Sequence, residues 1–231
     1  VLFRSTPGAL RFMLPRVVRA LSQPSPTEPC LRGIGALELL QREGAGRAFI
    51  DRFMRPFFGG VFLDRSLDMD AGALEFLFTL FAKAGAAVPR RGMGELAANL
   101  AAPLDPRAMH LNTPVHAIER HPGGWLLRTA SGLECAGAVI VAVEPGAAAA
   151  LLPGLPRPAW RSTVQLAFDV PEAALPASLR TPMLHLDGEG TGPVNHLVNL
   201  SAAGVDCAPR GHSLVSANVV DAHLVDTGAA G

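Results

Sequence analysis

Residues 92–97, Gly92-Met93-Gly94-Glu95-Leu96-Ala97, carry the spacing G-x-G-x-x-A. At the start of a helix this spacing brings backbone N–H groups onto a pyrophosphate, and Glu119 follows where a ribose-binding acid would stand. The chemistry implied is that of an NAD(P)-dependent enzyme. The context is poor for it, because Val88-Pro89-Arg90-Arg91 occupies the place of the apolar strand and two strand-like runs precede Glu119. A tight turn into a helix is the competing reading. Asp68 and Asp70 could act as paired carboxylates, or either could cap a helix. His110, His116 and His121 lie on or beside strand-like runs, and the histidines show no metal-ligand spacing, so no metal is expected. No GxSxG is present. Asp51, Arg52 and Arg55 suit a solvated helix face or a salt-bridged hinge. Phe57, Phe58 and Phe62 belong to a stretch, 49–81, that holds eight of the 11 phenylalanines. They form either core or the wall of a cavity for an apolar ligand. No acid–base pair qualifies as catalytic.

The elements that must position these groups fall into three stretches. Helical spacing of apolar residues runs from Leu10 to Leu21 with Pro15 inside, and a Pro/Ser loop follows from Ser22 to Pro29. Helices are predicted over 34–42 and 48–54, the latter stopped by Pro56, and the Gly59-Gly60 pair should break any regular element. A helix over 71–84, apolar nearly all round, should be deeply buried and end at Gly85. After a short helix at 94–102 the period changes to strands at 109–111, 115–119, 125–129, 133–135 and 138–143. The last, Ala138-Val139-Ile140-Val141-Ala142-Val143, reads as a strand covered on both faces. Glu144-Pro145 opens an alanine helix. Beyond a Pro-rich linker at 153–158, strands are predicted at 163–170, 183–186, 194–200 and 213–220.

The composition narrows the function. The chain has 231 residues, 49% hydrophobic and 17% charged, with a formal net charge of zero. That charge argues against a strong electrostatic reader of nucleic acid. No apolar run is long enough for a transmembrane helix, which leaves peripheral contact with a membrane surface open. Cys30, Cys135 and Cys207 are few, odd in number and far apart, so a reducing, cytoplasmic compartment is expected. Neither end reads as a natural terminus, so the chain is expected to be a piece of a longer protein.

Four segments carry a resemblance. Phe49-Ile50-Asp51-Arg52-Phe53-Met54-Arg55-Pro56-Phe57-Phe58-Gly59-Gly60-Val61-Phe62 resembles the "RPF…GVF" segment of flavin-dependent amine oxidase and phytoene-desaturase-like proteins. Val88-Pro89-Arg90-Arg91-Gly92-Met93-Gly94-Glu95-Leu96 resembles their "P-x-G-G-M" turn and helix, with Arg91 where a first glycine is usual. Leu111 to Ile118 is similar to their "xVxxI" strand, and Ala138 to Pro145 to their "VIxAxPP" strand and turn. The order and spacing of the four segments match as well.

The resemblance implies an α+β fold: an α/β FAD-domain portion and a mixed helix/sheet substrate domain, interleaved along the chain of a two-domain flavoprotein. Residues 1–88 would be the helical part of the substrate domain, 89–150 the β-rich part of the FAD-binding domain, and 151–231 the strands of the substrate domain. It implies FAD as cofactor, bound in part through the backbone of Val115 at the adenine. It also implies hydride removal from an apolar small molecule held near Phe57, Phe58 and Phe62. Lys83, the single lysine, lies in the wrong segment for the lysine that amine-oxidising members carry near the flavin, which favours desaturation or oxidation of an apolar substrate. The N-terminal glycine fingerprint and the C-terminal flavin-contacting segment are expected outside this chain. Two rival readings stand: a non-catalytic module for a hydrophobic ligand, and an NAD(P)-dependent enzyme using Gly92 to Ala97.

Overall fold

The computed structural model describes residues 7–22, 33–84, 86–156 and 159–220. Residues 23–29 of the Pro/Ser stretch, Cys30, Gly85 and residues 157 and 158 of the linker lie outside them. The chain divides into two compact units, one formed by residues 1–96 with 161–231, the other by 97–160.

The first unit begins with α1 (Pro7–Ser22), which carries Pro15 in its interior without interruption. α2 (Ala36–Arg42) follows. The next helical stretch differs from expectation. α3 (Arg47–Phe49) passes through a π-turn (Ile50–Met54) directly into α4 (Arg55–Phe62). Pro56 therefore does not stop the helix. The wider π-turn sits just before it, where a proline ring would otherwise collide with the carbonyl of Arg52 four residues back. Gly59 and Gly60 do not break the helix either. They let other groups come close: a Cβ on Gly59 would lie 3.0 Å from the Arg65 Cα. Leu63, in the left-handed region at φ 56°, ends α4.

Asp70 accepts the backbone N–H of Gly72 at 2.7 Å and so caps α5 (Ala71–Ala84). Asp68 takes no part in that cap. Burial along α5 is confined to Ala71, Gly72, Leu74 and Phe78, and Phe76 is 40% exposed, so the helix is covered on one face only. α1 and α2 pack on α5 around a core of Phe12, Leu40, Met54, Phe58, Leu67 and Leu74.

The same unit holds an antiparallel four-stranded sheet of β4 (Thr163–Pro171), β5 (His185–Leu186), β6 (Val194–Asn199) and β7 (His212–Val220). The strand order is β4-β7-β6-β5. Its more buried face carries Val215, Ala217 and Val219. The other carries Gln165, Ser216, Asn218 and His196.

The second unit contains most of α6 (Gly94–Ala101) and an antiparallel sheet of β1 (Val115–His121), β2 (Gly124–Thr129) and β3 (Gly132–Ala136), with β1 at one edge. α7 (Pro145–Leu151) packs beside β1. Two expected strands are absent. Residues 109–111 form a coil and turn, and 138–143 are irregular, with Ile140 92% exposed. An apolar run becomes a strand only where neighbours complete its ladder, and no described strand pairs with this one.

Candidate functional site

The Phe-rich helix meets the sheet at a polar joint. Register along β6 and β7 shifts between Val194 and His196, making Asn195 the extra residue of a bulge. A bulge re-aims side chains. Here Asn195, fully buried, donates from Nδ2 to the carbonyl of Pro56 at 2.7 Å and to His196 Nδ1 at 3.1 Å. Gly60 makes room for both residues. A Cβ there would lie 2.7 Å from Asn195 Nδ2 and 2.7 Å from His196 Nδ1, closer than real Cβ atoms approach. The paired glycines that sequence reading took as a break are what allow α4 to lie against β6.

His196 accepts at Nδ1, so its proton sits on Nε2, which has no partner among the described residues. Burial holds the imidazole below its ordinary value near 6.5. It is therefore a neutral hydrogen-bond donor. Directly across the ladder stands Asn218, which is buried and donates to Thr163 Oγ1 at 2.5 Å and Gln165 Oε1 at 3.4 Å. Gln165 in turn donates to Ser216. The sheet face thus carries a polar ladder ending at His196.

A pH dependence follows. The folded-state pKa of His196 lies below the unfolded value, so the unfolded chain takes up the proton first. The stability that neutral His196 supports is complete above about pH 6.5 and declines as pH falls below it. Melting temperatures recorded between about pH 7.5 and about pH 5 should fall on acidification, with a shallower slope in His196→Gln. An unchanged slope in the variant would show that the ring is not held neutral by burial.

The residues singled out from sequence fall as follows. Phe58 is 1% exposed and belongs to the core. Phe57 and Phe62 are half-buried and pack against that core. The Phe57 ring meets Phe58 edge-on at 5.0 Å and stacks on Phe53 at 5.2 Å. Asp51 pairs with Arg55 at 3.1 Å and Arg47 at 3.4 Å, while Arg52 pairs with Glu189 at 3.2 Å. Val115 starts the edge strand β1, which pairs with β2 and has a register shift just after it.

The dinucleotide reading of Gly92 to Ala97 lacks its strand. Residues 86–89 are irregular, 90 and 91 form a turn, and Gly92 stands at φ 82°. Arg91 and Glu95 pair at 2.9 Å, and Glu119 pairs with Arg128 at 3.2 Å. The glycines open a tight turn into α6. Among the described residues no cluster of His, Cys, Asp or Glu could hold a metal ion, and no helix is long and apolar enough to cross a membrane.

His196 and Asn195 were not legible as site residues. Their only signal was two adjacent polar side chains, Asn195-His196, in a strand sequence whose other polar residue is Asn199, together with the unexplained Gly59-Gly60 pair.

Among solved structures, the chain is similar to a protein assigned as a protoporphyrinogen oxidase of Exiguobacterium sp. 255-15. The TM-score is 0.62 and the identity 19%, over 94% of this chain and 52% of that one. It is also similar to a reduced UDP-galactopyranose mutase, with TM-score 0.57 and 17% identity over 90% of this chain and 50% of that one. The chain thus spans about half the length of these neighbours. No curated protein matches it. The sequence profile of the flavin containing amine oxidoreductases matches residues 14–227, and with nearly the whole chain covered, the protein belongs to that family.

Proposed function

We propose that the protein is an FAD-dependent oxidoreductase that removes a hydride from an apolar small molecule, and that this chain supplies the substrate-binding part and one strand group of the FAD-binding part. The family match over residues 14–227 carries the reading. Residues 1–88 and 151–231 are assigned to the substrate domain and 89–150 to the FAD-binding domain. The grouping of 1–96 with 161–231 in one unit, apart from 97–160, supports that assignment. The free thiols of Cys135 and Cys207 support a reducing, cytoplasmic setting.

FAD, when bound, supplies the two-electron acceptor. The described residues suit one end of it. β1 is an edge strand, so its outer side offers main-chain groups without a neighbouring strand, and adenine presents a donor and an acceptor on one edge. Val115 is assigned to that contact. The turn at Gly92 lacks its strand and is not assigned to the phosphates. Phe57 and Phe62 are assigned to the substrate, with Phe58 behind them as support. The neutral Nε2–H of His196, beside Gly60, can orient a polar group of the substrate without adding a charge.

The test uses the protein expressed from its complete open reading frame. It should show flavin absorbance, and lack of any flavin would sink the reading. Val115→Ala should weaken FAD only slightly. Val115→Pro, which removes the N–H, should weaken it about tenfold or more. Equal small losses from both, with the fold intact, would place the adenine elsewhere.

A further inference from the structure

The start of β7 borders a cavity of about 270 Å³ that the proposed oxidoreductase site does not use. Ser213, at that end, shares a strand face with Val215, Ala217 and Val219. Asn218 and His196 lie on the other face. Ser213 and Asn218 are five residues apart on the strand, roughly 17 Å at the usual rise. This is a separate place on the molecule.

Its walls carry unused polar groups. Ser213 is only 5% exposed and lines the cavity, and its hydroxyl meets no partner among the described residues. Ser201 Oγ accepts the N–H of Leu214 at 2.9 Å, which leaves its own proton free to donate. Arg180 is held in place by the carbonyls of Leu175, at 3.2 Å, and Glu172, at 3.3 Å. It has no carboxylate partner among the described residues, and its remaining N–H groups are unused. Glu172 also lines the cavity, and its carboxylate has no partner among the described residues. Leu175 and Ala202 supply an apolar wall. Asn199, buried, fixes the surroundings by donating to the Leu179 carbonyl at 2.8 Å and accepting from Ala202 N–H at 3.1 Å. A wider depression of about 600 Å³ shares Glu172 and Ser201 with it.

We propose that this cavity binds a small zwitterion with a short apolar tail. Its carboxylate would face Arg180 and the two serine hydroxyls, its ammonium Glu172, and its tail Leu175 and Ala202. A simple anion would meet the Glu172 charge, and a simple cation the Arg180 charge. Only a molecule with both charges matches the two groups, and charge-assisted hydrogen bonds reward that match. The volume is near the lower end for small-molecule sites.

Calorimetric titration with L-leucine of the protein expressed from its complete open reading frame tests this. Saturable one-to-one binding is expected, with 4-methylpentanoate and 3-methylbutylamine, which each lack one charge, binding about tenfold more weakly or worse. Ser213→Ala should weaken L-leucine by about fivefold. Glu172→Gln should lose the discrimination against 4-methylpentanoate while retaining that against the amine. Arg180→Met should abolish binding, and because Arg180 also holds two carbonyls, Ser213→Ala and Glu172→Gln carry the decision if that variant unfolds. Absence of saturable binding, equal affinity for all three compounds, or undiminished affinity in Ser213→Ala with unchanged discrimination in Glu172→Gln would overturn the proposal. Because Ser213 and Glu172 are not among the residues assigned to the flavin or its substrate, their variants report on this cavity alone, and the outcome is independent of the oxidoreductase reading.

Discussion

Replacing Arg16 with alanine should cost about 3–5 kcal/mol of folding stability, among the largest effects of any single change in this chain. Arg16 is 8% exposed and lies on α1, which packs on α5. Its Nε donates to Glu75 at 2.5 Å, and its Nη1 to Glu43 at 2.6 Å and to the Phe12 carbonyl at 2.9 Å. The guanidinium also lies 3.7 Å over the Phe12 ring. Burial works against its charge, but hydrogen bonding to Glu43 and the charges of Glu75 and Glu43 outweigh burial and raise the pKa above its usual value. The two partners are unequal. Glu43 is 41% exposed and can turn to water, whereas Glu75 is 15% exposed and would be left with its charge stranded. The loss should therefore concentrate on Glu75. Urea unfolding of Arg16→Ala, Glu75→Gln and the double variant tests this. The double variant should be less destabilised than the sum of the singles by about 2 kcal/mol or more. Strict additivity would mean that Arg16 matters for packing alone.

The contrast between what the sequence made legible and what it hid follows the range of the forces. The bounds of α5 were readable, because a largely apolar run from Ala71 to Ala84 follows a capping aspartate, whereas its burial on one face only was not. The strands at 115, 125, 133, 163, 194 and 213 were readable because alternation and Gly-containing turns are local. The stretch from Pro56 to Gly60 was misread for the same reason. Locally, a proline and two glycines oppose a helix. What keeps the helix is Asn195, 139 residues away, bonded to the Pro56 carbonyl and occupying the space that Gly60 leaves. The run from Ala138 to Val143 failed in the opposite sense: its composition is that of a covered strand, but covering is a property of neighbours. The candidate site divides along the same line. Phenylalanines crowd together in sequence and announce themselves. His196 acquires its neutral state and fixed tautomer only when a bulge, a helix and a glycine converge on it.

The Phe-rich helix offers the second large effect and separates core from cavity wall. Phe58→Ala should cost about 3–5 kcal/mol, because the ring is 1% exposed and its removal leaves a hole that close-packed neighbours only partly fill. The Phe58 ring stacks on Phe78 at 5.3 Å and meets Phe57 edge-on, so both lose contact at once. Phe57 and Phe62 present part of their surface outward, and each alanine variant should cost about 1–2 kcal/mol through the smaller area removed from water. If these two form the wall of an apolar substrate cavity, Phe57→Ala and Phe62→Ala should raise the KM for substrate in the complete flavoprotein by more than their stability losses account for. Phe58→Ala should act chiefly through the melting transition. Guanidinium unfolding and steady-state kinetics on the same three variants distinguish the cases. Equal stability losses from all three with an unmoved KM would make the cluster core throughout, and the substrate would have to be sought on the polar sheet face beside His196.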